Sequence, residues 1–271
     1  MTEQSRSSCD LEKLNTTASK MADAARSAIL PFFRSNNLAT DNKLDDGYDP
    51  VTEADRAAER AMRGILDDLR PDDAVLGEEY GAKPGISGLT WVLDPIDGTR
   101  GFVTGTPTWG VLIAVSDGQG PFFGMIDQPY IGERFCGFGG SAWCDGPLGL
   151  RQLSTRRTER LADATVLTTF PEVGNADEQA GFHAVAGQAK LTRYGMDCYG
   201  YALVAAGQAD LVIEAALQPY DIQAPIALIE AAGGIVTNWQ GGPAHAGGRA
   251  LAAGNPHIHA EALRILRNVP A

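Results

Sequence analysis

A chain of 271 residues with 44% hydrophobic side chains is long enough for one sizeable domain or two closely packed halves with a substantial core. Its formal charge of −12 disfavours nucleic acid and anionic membrane as partners. No apolar run approaches the roughly 18 residues of a membrane span, and the polar segment Met1 to Asp10 has no signal-like apolar stretch, so the expected compartment is the cytoplasm.

Leu11, Leu14, Ala18, Met21, Ala25, Ala28 and Phe32 recur at helical spacing and predict an amphipathic first helix that Pro31 kinks or ends. Asn36 to Asp49, rich in Asn, Asp and Gly and without periodicity, reads as a loop. A second helix follows over about Thr52 to Leu69, with Ala58, Met62, Ile65 and Leu69 on one face. The pattern then changes to short apolar runs between Gly, Pro and Asp: Ala74–Leu76, Trp91–Leu93, Val111–Val115, Phe122–Ile126 and Glu133–Phe138, strands of a mostly antiparallel sheet. Beyond a polar stretch near Arg151 to Arg160, strands and helices alternate: Thr165–Thr169, Asp177–Gly187, Leu191–Tyr194, Cys198–Ala206, Leu211–Glu214, Pro225–Ala232 and Ile235–Asn238. The organisation expected is an N-terminal α+β half over 1–150 and a C-terminal α/β half over 151–271, packed as one unit.

Chemistry concentrates where Trp91-Val92-Leu93 runs into Asp94-Pro95-Ile96-Asp97-Gly98-Thr99. Pro95 fixes φ in a tight turn, so both carboxylates and the Ile96 carbonyl between them can face one point, the oxygen donor set a hard divalent cation takes. Gly98 lacks the Cβ that would block an anion, which leaves its amide and that of Thr99 to donate to phosphate oxygens. The bland alternative is a solvated Asp-Gly turn. Acids also end Val75-Leu76-Gly77-Glu78-Glu79, and Pro219-Tyr220-Asp221 precedes the apolar Ile226 to Ala232. Asp55 lies three residues after Thr52, as the acid of a helix capping box would. Asp221 has a capping alternative too, although Pro225 suggests that the helix starts there and leaves Asp221 in the preceding loop.

Together with Asp49-Pro50-Val51-Thr52-Glu53-Ala54-Asp55, these stretches resemble the signatures of the inositol monophosphatase-like family of magnesium-dependent phosphomonoesterases, from about residue 40 to about residue 240. The resemblance implies an α+β fold, a layered αβαβα sandwich whose halves meet at the metal site. It implies that Glu78, Asp94, Ile96 (by its carbonyl), Asp97 and Asp221 hold two or three Mg²⁺ ions, with Glu79 left as a supporting group. Asp55 and Thr99 would together deprotonate the attacking water, and the family's members are commonly homodimers. Bound cations would also offset the repulsion between an acidic protein and a phosphate dianion. Tyr220, where the family more often has tryptophan, and Gln223, where a small residue is common, depart from the pattern. Lys43 reads as a solvated loop lysine, the four histidines as uninvolved and the four cysteines as free thiols.

Within the family, Trp109, the run Arg193 to Tyr199 and the segment from Glu214 to Ile222 look most like the bacterial histidinol-phosphate phosphatase branch. Inositol monophosphatase is the runner-up and adenosine 3′,5′-bisphosphate phosphatase comes behind it. A non-catalytic regulatory protein on the same fold is the reading from another class. Gly195, Met196, Asp197 and Glu214 are the expected substrate contacts, with Asp197 and Glu214 as a carboxylate pair at the pocket rim for a cationic leaving group. Asp197 could instead cap the helix that follows. The run Thr106 to Val115 with Trp109 is the candidate subunit interface, with core packing as its alternative.

Overall fold

The computed structural model describes residues 8–35, 40–42 and 50–270. Helix α1 (Ser8–Ile29) buries Leu14, Ala18, Met21, Ala22, Ala25 and Ile29 on one side and ends just before Pro31. Helix α2 (Glu53–Leu69) packs against it. Its buried stripe runs through Ala54, Ala58, Met62 and Leu66, one residue every fourth position, which puts Ile65 at the margin and leaves Leu69 exposed, unlike the face expected. Within the expected loop, β1 (Thr40–Asn42) pairs antiparallel with β2 (Pro50–Thr52). Positions 36–39 and 43–49, Lys43 included, lie outside the described residues.

The first sheet contains β3 (Ala74–Gly77), β4 (Gly81–Lys83), β5 (Thr90–Asp97), β6 (Gly110–Ser116), β7 (Pro121–Gln128), β8 (Glu133–Phe138), β9 (Ser141–Asp145) and β10 (Arg151–Gln152). Their spatial order is β10-β9-β8-β7-β6-β5-β3-β4, antiparallel except for the β3–β5 pair. A short helix, α3 (Thr99–Thr104), leaves directly from β5. The second sheet is mixed: β12 (Leu191–Arg193), β11 (Thr165–Leu167), β13 (Leu211–Leu217), β15 (Gly248–Ala253) and β14 (Ile235–Thr237), in that spatial order. The remaining helices are α4 (Ala176–Ala186), α5 (Asp197–Ala205), α6 (Pro219–Ala231) and α7 (Pro256–Leu266).

Helices α1 and α2 cover one face of the first sheet, α5 and α6 fill the space between the sheets, and α4 and α7 cover the far face of the second. This is the αβαβα layering expected, with three apolar clusters: one under α1 and α2, one spanning the helix layer between the two sheets, and one under α4 and α7. All seven residues of β6 are buried because helices flank both faces, and its sequence is accordingly a continuous apolar run rather than an alternating one. The middle cluster joins Val92, Leu112 and Ile126 of the first sheet to Val212 and Ala252 of the second around Ile222, Leu228 and Ile229 of α6. Each buried leucine or isoleucine there contributes about 1.5–3 kcal/mol.

Trp109 is fully buried, with ring centroids 5.2 Å from Phe33 and 5.0 Å from Phe102. Val111 to Val115 are interior as well, so from Trp109 onward the stretch proposed from sequence as an interface is core, and only Thr106 to Thr108 reach the surface. Cys136, Cys144 and Cys198 are free thiols. Among the described residues no helix is long and apolar enough to cross a membrane.

Candidate active site

Pairing between β5 and β6 is interrupted between Asp94 and Asp97, where Pro95 has no amide to give the ladder. The irregularity turns the end of the strand so that both carboxylates face the same point. Asp94 is pinned by the Ile96 amide, which donates to its Oδ1 at 3.0 Å. The third acid arrives on α6. That helix starts at Pro219, not at Pro225, so Asp221 sits in its first turn in a capping box, accepting the Gln218 amide at 2.7 Å. Pro225 lies inside the helix and only withholds the amide that would have bonded the Asp221 carbonyl. Carboxylate oxygens of Asp94, Asp97 and Asp221 all lie within 4.8 Å of one another. Glu78, just after β3, donates its amide to the Leu93 carbonyl at 3.2 Å, and its carboxylate shares the cavity wall with Asp94 and helps to raise that group.

Burial first and neighbouring carboxylates second hold Asp94 and Asp97 well above the usual carboxylate range. Burial likewise pushes Asp221 up to about 7. Carboxyls in hydrogen-bond reach of one another must share a proton or a cation. The donor set is all hard oxygen, crowded and mutually repelling, and therefore fits divalent cations of the Mg²⁺ type.

Next to this cluster is a cavity of about 580 Å³ lined by Glu78, Asp94, Asp97, Gly98, Thr99, Arg100, Thr168 to Phe170, Asp197, Tyr201, Glu214 and Asp221, among others. Gly98 has φ +86°, in the left-handed region. A Cβ there would lie 2.7 Å from Cβ and Cγ of Asp197, so glycine is required for the approach of Asp197 and not only for that of an anion. The Thr99 hydroxyl donates to the Ile96 carbonyl at 3.1 Å rather than to Asp55.

Asp55 fills the capping role weighed from sequence, and it does so with one oxygen. Its Oδ2 accepts the Thr52 amide at 2.8 Å and the Thr52 hydroxyl at 2.6 Å, completing the capping box. Its Oδ1 is buried and has no hydrogen-bond partner among the described residues. The cap thus uses one of the two oxygens, and Asp55 is not among the residues lining the cavity. Burial raises this carboxyl to about 7, against the lowering effect of Thr52.

The expected substrate contacts divide. Asp197 and Glu214 line the cavity, but both are buried in its wall rather than standing at its rim. Glu214 accepts the Thr169 amide at 3.0 Å, the Thr169 hydroxyl at 2.6 Å and the Tyr201 hydroxyl at 3.0 Å, and burial raises its pKa to about 7. Asp197 accepts the Thr108 hydroxyl at 2.6 Å and is raised by burial. It opens α5 but does not cap it, because Asp97 takes the Cys198 amide at 2.7 Å. Gly195 is exposed and Met196 packs against the middle core cluster; neither is among the residues lining the cavity. Tyr220 lines the cavity, and Gln223 donates to the His245 carbonyl at 3.0 Å. Sequence reading missed Arg100, whose guanidinium lies 4.8 Å from the Phe170 ring centroid on the cavity wall. Its only sequence signal was its place beside Thr99.

The profile of the inositol monophosphatase family matches residues 10–271. A bifunctional phosphatase of Arabidopsis thaliana, IMPL2 (chloroplastic), is 37% identical over 96% of this chain and 77% of its own length. A histidinol-phosphatase of Streptomyces coelicolor is 35% identical over 91% of this chain and 94% of its own. A solved structure of an inositol monophosphatase from Zymomonas mobilis superposes with a TM-score of 0.84 at 37% identity, covering 96% of this chain and 99% of that one. The chain belongs to the inositol monophosphatase family. It is a phosphoric monoester hydrolase, an enzyme class that acts on small phosphate esters, and the family is metal-dependent.

Proposed function

We propose that this chain hydrolyses L-histidinol phosphate to histidinol and phosphate in a Mg²⁺-dependent reaction. The observation that carries the reading is the pair Asp197 and Glu214, two carboxylates in the cavity wall outside the Asp94, Asp97 and Asp221 cluster. Acids there favour an ammonium or protonated imidazole on the leaving group over the neutral hydroxyls of inositol. The histidinol-phosphatase among the relatives supports it. Hydrolysis of inositol 1-phosphate is the second reading, favoured by the Zymomonas mobilis enzyme at 37% identity.

In this reading Glu78, Asp94, Asp97, Asp221 and the Ile96 carbonyl hold two or three Mg²⁺ ions. When bound, such cations supply the Lewis acidity that makes a water nucleophilic and stabilises a leaving alkoxide. The amides of Gly98 and Thr99 bind the phosphate. The Thr99 hydroxyl orients the attacking water, and the Oδ1 of Asp55, which the cap leaves unused, accepts its proton. Asp197 and Glu214 orient the leaving group. Homodimer assembly remains part of the reading on family resemblance, and a monomer by sedimentation at micromolar concentration would remove it.

The test is phosphate release with Mg²⁺ from histidinol phosphate, inositol 1-phosphate and adenosine 3′,5′-bisphosphate, compared as kcat/KM. The highest value on histidinol phosphate supports the proposal; a higher value on inositol 1-phosphate replaces it with the second reading.

A further inference from the structure

We propose that Glu59 is the positioning residue for Glu78, fixing that side chain for metal binding through the backbone; the inference rests on the metal role proposed for Glu78. Glu59 lies on α2 and is completely buried. Its Oε2 accepts the Glu79 amide at 2.7 Å, and its Oε1 accepts the Tyr80 amide at 3.2 Å and the Arg63 Nε at 2.8 Å. The Glu78 amide itself is tied to the carbonyl of Leu93, the residue just before Asp94. Three consecutive amides, 78 to 80, are thus anchored, one to the strand that carries Asp94 and two to an interior carboxylate.

Gly77 shows how closely the parts fit. A Cβ at that position would lie 2.0 Å from Glu59 Oε1, so the carboxylate occupies the space that any side chain at 77 would fill. Glu59 and Arg63 also form an ordinary pair one helical turn apart, and this is the purely structural reading. Such a pair on a helix surface needs neither full burial nor a glycine opposite. A buried carboxylate persists only where donors compensate its lost hydration, and two of the three donors here belong to the loop that carries Glu78. Groups that orient a ligand from behind typically alter metal affinity by about 10–100-fold when lost. In Glu59→Gln the amide NH₂ would face a backbone N–H, the charge that gathers both amides would be gone, and the Glu78 carboxylate would lose its fixed direction.

The experiment is calorimetric titration of the full chain with Mn²⁺ as the probe, with melting temperatures recorded in EDTA. Glu59→Gln is expected to weaken Mn²⁺ binding at least about tenfold, and Gly77→Ala, which displaces the same carboxylate, to do likewise. Met62→Ala empties a fully buried position on the same helix and is expected to lower Tm while leaving Mn²⁺ affinity unchanged. If Glu59→Gln does not fold, Gly77→Ala carries the comparison. Wild-type affinity in Glu59→Gln, or in Gly77→Ala where it stands in, or an equal loss in Met62→Ala, overturns the proposal. Glu78→Gln separates the two levels: wild-type binding by that variant removes the metal role of Glu78 and this inference with it. Weakened binding in Glu78→Gln beside intact binding in Glu59→Gln removes the inference alone.

Discussion

The Cys198 amide donates to the Asp97 carboxylate at 2.7 Å, so an acid at the end of β5 caps a helix through a residue 101 positions later in the chain. The contact brings the positive end of α5 to the acid cluster and joins the two sheets at the site. Asp97→Asn keeps a cap acceptor and removes a charge that burial and its neighbours oppose, whereas Asp97→Ala removes both. Turnover should be lost in both variants. In EDTA, Asn should melt at or above wild type, and Ala should fall below Asn by about 0.5–2 kcal/mol of stability. Equal melting of the two variants would mean that the cap contributes nothing.

The cap of α2 and the proton-accepting role proposed for Asp55 are separable because the cap uses one of its two oxygens. Thr99→Ala and Asp55→Asn should each lower kcat by about 10²–10⁴-fold with little change in KM, since proton transfer acts in the transition state. Thr52→Ala, which removes the capping hydroxyl, should lower Tm first. If Asp55→Asn shifts Tm and spares kcat, its role is the cap alone.

Much of this was legible in the sequence, and the losses have physical causes. Asp94, Asp97 and Glu78 were readable because each ends an apolar strand, a pattern local to a few residues. The start of α6 was misplaced because a proline usually marks the first turn, while Pro225 is tolerated inside a helix buried between two sheets. The α5 cap could not be read at all, since its acceptor lies in another part of the chain. That a single oxygen of Asp55 fills the cap was equally hidden, because spacing identifies a capping box but not which oxygen serves it. By contrast α7 was available: Asn255-Pro256 is a helix start, and the Asn255 side chain accepts the amides of His257 and Ile258. The register slip on α2 came from choosing Leu69 over Leu66, a choice that only packing against α1 decides.

Asp197 bears on substrate choice. Charge-assisted contacts contribute about 1.5–3 kcal/mol each, so Asp197→Asn should lower kcat/KM on histidinol phosphate roughly tenfold or more and hardly change turnover of inositol 1-phosphate. An equal loss on both esters would reduce Asp197 to its contacts with Thr108 and Gly98.

His259 gives a pH dependence away from the site. Its ring shares a 2.8 Å hydrogen bond with the Thr237 hydroxyl, and burial, then Arg267, holds it below the ordinary 6.5. With the folded pKa below the unfolded one, the unfolded chain binds the extra proton. Stability is therefore complete above about 6.5 and is lost as pH falls toward the folded value. Melting of wild type and His259→Gln between pH 7.5 and about 5 checks this, since subtraction cancels the buried carboxyls common to both. The stability advantage of wild type should shrink on acidification, and a constant gap would contradict the assignment.

The central claim is that the acids gathered around Asp94 do their work through a bound divalent cation. Its most direct test is phosphate release from L-histidinol phosphate by the wild-type protein with saturating Mg²⁺, after excess EDTA, and after Mg²⁺ is restored. The account predicts turnover that disappears on chelation and returns with the metal. Turnover that persists in EDTA would contradict it.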